Sequence, residues 1–274
     1  MTAVSVAQQG AQAVERAADS RPVGWMARVG LTARGLVYLL IGVMAIALAT
    51  GRRRGEVDQK GALQQLLQHS YGTVLVIAIV AGFAGYALWR LTEACFGVAG
   101  EGKKVGPRVQ SLTRGVLYLV LAASGVALLR GSHNTQAGQQ RELTARVMQH
   151  TGGRWIIGVV GVVIVCVGLA LAWEGLRLRF MRYFPAGALT ARTRRVVGTL
   201  GWFGNISRGC VFTVIGALVL IAAVRHQPSK AGGLDSALRT LRDGPNGTWI
   251  LGAIAVGLVA FGLYGLCEAR YRRV

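Results

Sequence analysis

The sequence predicts an all-α integral membrane protein: six transmembrane helices forming three repeated two-helix hairpins in a pseudo-threefold arrangement. Three observations carry that expectation. Of 274 residues, 53% are hydrophobic and 15% charged, against about a quarter charged in soluble domains. The apolar residues fall in six long blocks. Three stretches of the chain also repeat one another in register.

The blocks run over 35–50, 73–92, 115–129, 155–173, 209–224 and 248–267. A helix needs about 20 apolar residues to cross a hydrocarbon core about 30 Å thick. The second, fourth and sixth blocks meet that length unaided. The first, third and fifth must extend backwards through Val29–Ala33, Val109–Thr113 and Gly198–Ser207. That extension sets Arg34, Arg114 and Arg208 about a turn inside their helices. Residues 1–24 read as a cytoplasmic tail, flexible or a surface helix. They hold no apolar stretch of signal-peptide length, so the first span is expected to be an uncleaved anchor. The hairpin repeats are assigned to 25–98, 107–178 and 197–274.

Each repeat opens on arginine, glycine and then an aromatic three residues on: Arg34-Gly35 with Tyr38, Arg114-Gly115 with Tyr118, Arg208-Gly209 with Phe212. Each closes on a glutamate and a small residue: Glu93-Ala94, Glu174-Gly175, Glu268-Ala269. The arginine-to-glutamate separations are 59, 60 and 60 residues. Gly72, Gly153 and Gly247 each stand 21 residues before their glutamate. Before those glycines, Gly61–Leu66, Leu143–Val147 and Ser236–Leu241 read as short amphipathic helices at the outer surface, each ending where the return span begins.

In a hairpin the start of one span and the end of the next share a level. Arg34 and Glu93, Arg114 and Glu174, and Arg208 and Glu268 are therefore expected as three ion pairs at the inner interface, since an isolated charge in lipid is costly. The other reading of the same residues is a gate or an anion site. Gly35, Gly115 and Gly209, with Gly42, Ala122 and Gly216 seven residues on, supply the small side chains that let spans approach closely.

The net charge of +20 comes from Lys and Arg lying in the gaps between apolar blocks. That placement suits anionic lipid headgroups and argues against nucleic acid, which is bound by a folded basic face. Gaps on the side of the two termini hold 19 of the 31 basic residues, so both termini are expected in the cytoplasm. Trp25, Trp89, Trp173 and Trp202 mark that side; Tyr71, Trp155 and Trp249 mark the outer one. Cys95, Cys166, Cys210 and Cys267 lie in or beside apolar blocks and are expected as buried, reduced thiols. His69, His133, His150 and His226 fall on the outer side, where they could act together. No carboxylate stands at ligand spacing from His69 or His150, and neither metal nor cofactor is expected. No nucleophile–base set or carboxylate pair suggests an enzyme.

With these features the chain resembles an uncharacterised bacterial family, six-span proteins made of three copies of domain of unknown function 1206. The resemblance rests on the thrice-repeated Arg-Gly-x-x-aromatic, the loop from Gly61, and the return helix ending Trp89-Arg90-Leu91-Thr92-Glu93-Ala94. The second repeat departs most, with Arg141-Glu142-Leu143 where Gly-Ala-Leu would stand. The resemblance implies this fold in a bacterial envelope and brings no activity or catalytic residue. Three functions stay open: a non-enzymatic structural or interaction module of the plasma membrane, a small channel or permease along the pseudo-threefold axis gated by the Arg/Glu pairs, and an anionic-lipid-binding protein. Membrane lipids, anionic on the cytoplasmic side, are the expected partners. The residues name no protein partner, and a homo-oligomer is compatible with them.

Overall fold

A computed structural model describes residues 21–53, 55–97, 105–132, 134–184 and 189–272. Most of the expected tail, and His133, lie outside the described residues. Those residues hold nine α-helices and no strand. Six are long and apolar enough to cross a membrane: α1 (Arg21–Ala49), α3 (Gly72–Phe96), α4 (Val105–Leu129), α6 (Gly153–Leu176), α7 (Ala191–Arg225) and α9 (Gly247–Tyr271). Three are short: α2 (Gln59–Leu67), α5 (Gln136–Met148) and α8 (Leu234–Arg242). The sequence order is therefore long, short, long, three times over.

Local chemistry sets the boundaries. Pro22 and Pro107 sit in the first turns of α1 and α4, where a missing N–H breaks no helical bond. Asp58, Thr135 and Thr190 cap α2, α5 and α7 by accepting from Gly61, Gly138 and Thr193 N–H. The leading spans begin further back than the apolar blocks imply, at Arg21, Val105 and Ala191. Arg34, Arg114 and Arg208 therefore lie well inside their helices rather than a turn from the start.

Each short helix turns into its return span through the same device. Gly72, Gly153 and Gly247 donate N–H to the carbonyl three residues back, at 2.8, 2.9 and 3.0 Å. A Cβ at each would lie 1.8 Å from the carbonyl oxygen of Leu66, Val147 or Arg242. Only glycine fits, because the end of the short helix crosses directly over that Cα.

The closest packing runs between repeats. Each leading span lies against the return span of the repeat before it, cyclically: α4 on α3, α7 on α6, and α1 on α9. Glycines carry these contacts. A Cβ on Gly35 would sit 2.9 Å from Gly262 O, and one on Gly262 would sit 2.8 Å from Gly35 O. Gly209 and Gly168 face each other in the same way at 2.7 and 2.8 Å. Gly115 packs under Leu91, Gly42 under Val259 and Gly216 under Val165, while Ala122 is buried on α4. With little hydrophobic drive in lipid, such backbone approach is what holds spans together.

Within repeats the symmetry breaks. The two spans of the first repeat touch, α1 on α3, as do those of the third, α7 on α9. The two spans of the second, α4 and α6, make almost no contact. The six spans thus form an open arc in the order α4, α3, α1, α9, α7, α6, with a seam between its ends. α4 and α6 are also the least buried of the six. Each buries one stripe that is rich in small residues, Ser111–Gly115–Tyr118–Ala122–Gly125 on α4 and Ile157–Gly161–Gly168–Leu171–Gly175 on α6.

Candidate functional site

Near the end of the bundle where α1 begins and α9 stops, five spans bring arginine and aromatic side chains together. Arg34/Tyr38 on α1, Tyr86/Arg90 on α3, Arg114/Tyr118 on α4, Arg208/Phe212 on α7 and Tyr264/Glu268 on α9 each stand four residues apart, so each pair shares a helix face. Tyr86, Tyr118, Tyr264 and Phe261 are buried with them. Tyr86 and Tyr118 rings lie 4.5 Å apart, and Tyr38 meets Phe261 edge-on at 4.8 Å.

The expected pairing within each hairpin is corrected. Arg34 pairs with Glu268 of the third repeat, Nη2 to Oε2 at 2.5 Å, and not with Glu93. The cause is the packing order, which sets α1 against α9. Arg272 holds the other oxygen of Glu268. Glu93 accepts from Arg90 Nη1 at 2.7 Å and from Ser111 Oγ at 3.0 Å. Arg90 has Leu171 and Gly265 at the equivalent places of the other repeats, so neither other glutamate has a partner three residues before it. Among the described residues, Arg114, Arg208 and Glu174 make no ion pair.

The cluster is therefore rich in positive charge. Arg34, Arg90, Arg114, Arg208 and Arg272 stand against the bonded carboxylates of Glu93 and Glu268 and that of Glu174, which lies within electrostatic reach of Tyr264. Aromatic faces meet part of the excess: Arg208 lies 4.9 Å from the Phe261 centroid and Arg90 lies 4.2 Å from Trp89. Arg114 is within electrostatic reach of Arg90, Arg208, Tyr86 and Tyr183, with no carboxylate among its main neighbours. Within the cluster, three buried guanidinium nitrogens, Arg34 Nε, Arg90 Nη2 and Arg208 Nε, have no hydrogen-bond partner among the described residues. Arg34 and Arg90 are only 8% and 3% exposed.

A 3-10 turn at Arg179–Tyr183 follows α6 and folds over this end. Phe180 packs against Gly201 and edge-on to Tyr264 at 5.2 Å. Arg272 lies over the Tyr183 ring at 4.5 Å. The turn thus covers the cluster where α9 stops, and α4 and α6, whose spans flank it, make almost no contact with each other.

At the opposite end the short helices bind the repeats to one another. Asp235 of α8 accepts from Val57 N–H at 2.9 Å and pairs with Arg239 at 2.8 Å. Arg239 also reaches Gly55 O at 2.9 Å. Lys60 Nζ, buried, donates to Asn134 O, and Gln136 donates to Gln59 at 3.2 Å. The first repeat is thereby tied to both others. Burial pushes the Asp58 carboxyl up to about 6, against its Gly61 hydrogen bond.

Two further expectations meet the structure here. The cysteines are not buried: Cys95, Cys166 and Cys210 are exposed and Cys267 half-buried, all as free thiols, because they lie on outward helix faces. His69 and His150 do occupy equivalent places, and each ring Nδ1 meets the carbonyl four residues back, Gln65 O at 3.1 Å and Arg146 O at 2.9 Å. That contact finishes a short helix locally. Sequence reasoning missed Arg90, Arg272, Asp58 and Asp235. The signal for Arg90 was present, an arginine four residues after Tyr86 on the face that carries Glu93.

Comparison with known proteins agrees with this architecture. The chain is 28% identical over 250 residues to the uncharacterized protein YxxB of Bacillus subtilis (strain 168), covering 90% of each chain. No solved structure matches it. The sequence pattern of the domain of unknown function DUF1206 matches three times, over residues 29–97, 109–177 and 203–272, the three long–short–long units described above. The protein belongs to the DUF1206 family.

Proposed function

We propose that this chain is a non-enzymatic multi-pass protein of the bacterial plasma membrane, with both termini in the cytoplasm, that works as a packing or interaction module. The observation that carries this reading is the glycine-on-carbonyl packing of α1 on α9 and of α7 on α6. Backbone contact at that range supports close helix packing as the use to which these spans are put. The cytoplasmic assignment of the termini draws on the basic residues of the gaps on their side.

Liposomes containing the purified protein test it against a channel or permease. The expected result is no protein-dependent flux of ions or small anionic solutes. Flux that disappears when Glu93, Glu174 and Glu268 become Gln would replace the module with a gated path. Protease protection of terminal tags in intact cells checks the orientation, and tags digested from outside would reverse it.

A further inference from the structure

We propose that the arginine–tyrosine cluster is the headgroup site of an anionic phospholipid, which enters through the seam between α4 and α6. This deepens the module reading by naming its ligand. Arg114 and Arg208 come from α4 and α7 and lie within electrostatic reach of each other, and neither pairs with a carboxylate among the described residues. Arg34 and Arg90 are buried and each leaves a guanidinium nitrogen without a partner. A charge so placed near lipid needs an anion, and the guanidinium fork matches phosphate oxygens two at a time.

The surroundings select a lipid over a free ion. The turn at Arg179–Tyr183 covers the cluster along the axis, so a ligand would have to come from the side, between α4 and α6, which do not pack on each other. Both helices carry exposed apolar side chains beyond their buried stripes, including Leu117 and Val120 on α4 and Val163 and Val167 on α6. Phosphate held among arginines, with acyl chains lying along two apolar helices, satisfies both halves of the site. The second repeat is the most divergent in sequence and the one whose spans do not pack on each other. A lipid in that seam would supply the missing contact.

The test uses full-length protein in nanodiscs of phosphatidylcholine doped with phosphatidylglycerol, analysed by native mass spectrometry after mild detergent release. Wild-type protein is expected to retain phosphatidylglycerol over phosphatidylcholine. Arg114→Gln and Arg208→Gln should each lower that retention about tenfold, while Arg146→Gln, in an exposed pair far from the cluster, should leave it unchanged. Should a variant not fold, thermal unfolding of wild-type protein with short-chain phosphatidylglycerol or phosphatidylcholine decides the matter. Protection by the first alone supports the site; equal protection by both overturns it. Equal retention of both lipids, retention unchanged in the arginine variants, protection by inorganic phosphate matching that by the lipid, or a lipid-free dimer joined at α4 and α6 would each overturn it. A flux-positive protein that still retains the lipid would end the module reading and leave this site standing.

Discussion

Glu268 is the residue on which one end of the bundle depends. It accepts from Arg34 and Arg272 and is 3% exposed. Breaking a buried pair from one side strands the other charge and costs ~3–5 kcal/mol, whereas replacing both partners costs far less. Glu268→Gln should therefore lower the unfolding temperature in detergent strongly, and the double change of Arg34 and Glu268 to Gln should recover part of the loss. A double variant as unstable as the summed single variants would refute the pairing. Asp58 gives a separate expectation. Its carboxyl titrates near 6 in the fold and near 3.8 in the unfolded chain, so the folded state holds the proton more tightly. Stability should fall as pH rises from about 4 to about 6 and then level. Asp58→Asn, which keeps an oxygen for Gly61, should flatten that part of the stability–pH curve. The repeated Arg and Glu residues were legible in the sequence as a set, but their partners were not. Pairing depends on which helices pack, and a repeat leaves open whether a leading span turns to its own return span or to its neighbour's.

The helices differ in which glycines they can lose. Gly72, Gly153 and Gly247 lie under the carbonyls that end α2, α5 and α8, so alanine at any of them should destabilise the protein by more than 1 kcal/mol, as overpacking a tight site does (~1–3 kcal/mol). Gly198 in α7 and Gly252 in α9 have nothing within 4 Å of a Cβ. Alanine there should be neutral or stabilise by about 0.5–1 kcal/mol, the ordinary helix preference. Thermal unfolding of the five variants separates the two groups. The same ranking for both would show that helix propensity, not contact, governs these positions. At this scale the sequence was informative: the fixed 21-residue interval from glycine to glutamate marked each return span, and Gly35, Gly115 and Gly209 marked the interfaces. Arg90, found in one repeat alone, leaves no periodic trace, and its one sequence signal is its spacing from Tyr86 and Glu93 on a single helix.

For the molecule as a whole, the cyclic packing of each leading span on the preceding return span is the pseudo-threefold order that three repeats imply. The opening between α4 and α6 departs from it. Hydrophobicity could not disclose that opening, since both helices are apolar all round and read alike whether they face lipid or a neighbour. The order α4, α3, α1, α9, α7, α6 is the central claim, and cysteine cross-linking tests it most directly. In a background lacking Cys95, Cys166, Cys210 and Cys267, Met26→Cys with Gly85→Cys joins α1 to α3, and Gly158→Cys with Ala223→Cys joins α6 to α7. Their Cβ separations of 3.8 and 4.0 Å suit a disulfide, which needs about 3.5–4.5 Å. Both pairs should cross-link readily in membranes, while cysteine pairs scanned along residues 116–124 of α4 and 160–168 of α6 should not. Efficient cross-linking between α4 and α6, with failure of the 158–223 pair, would contradict the packing order and close the seam.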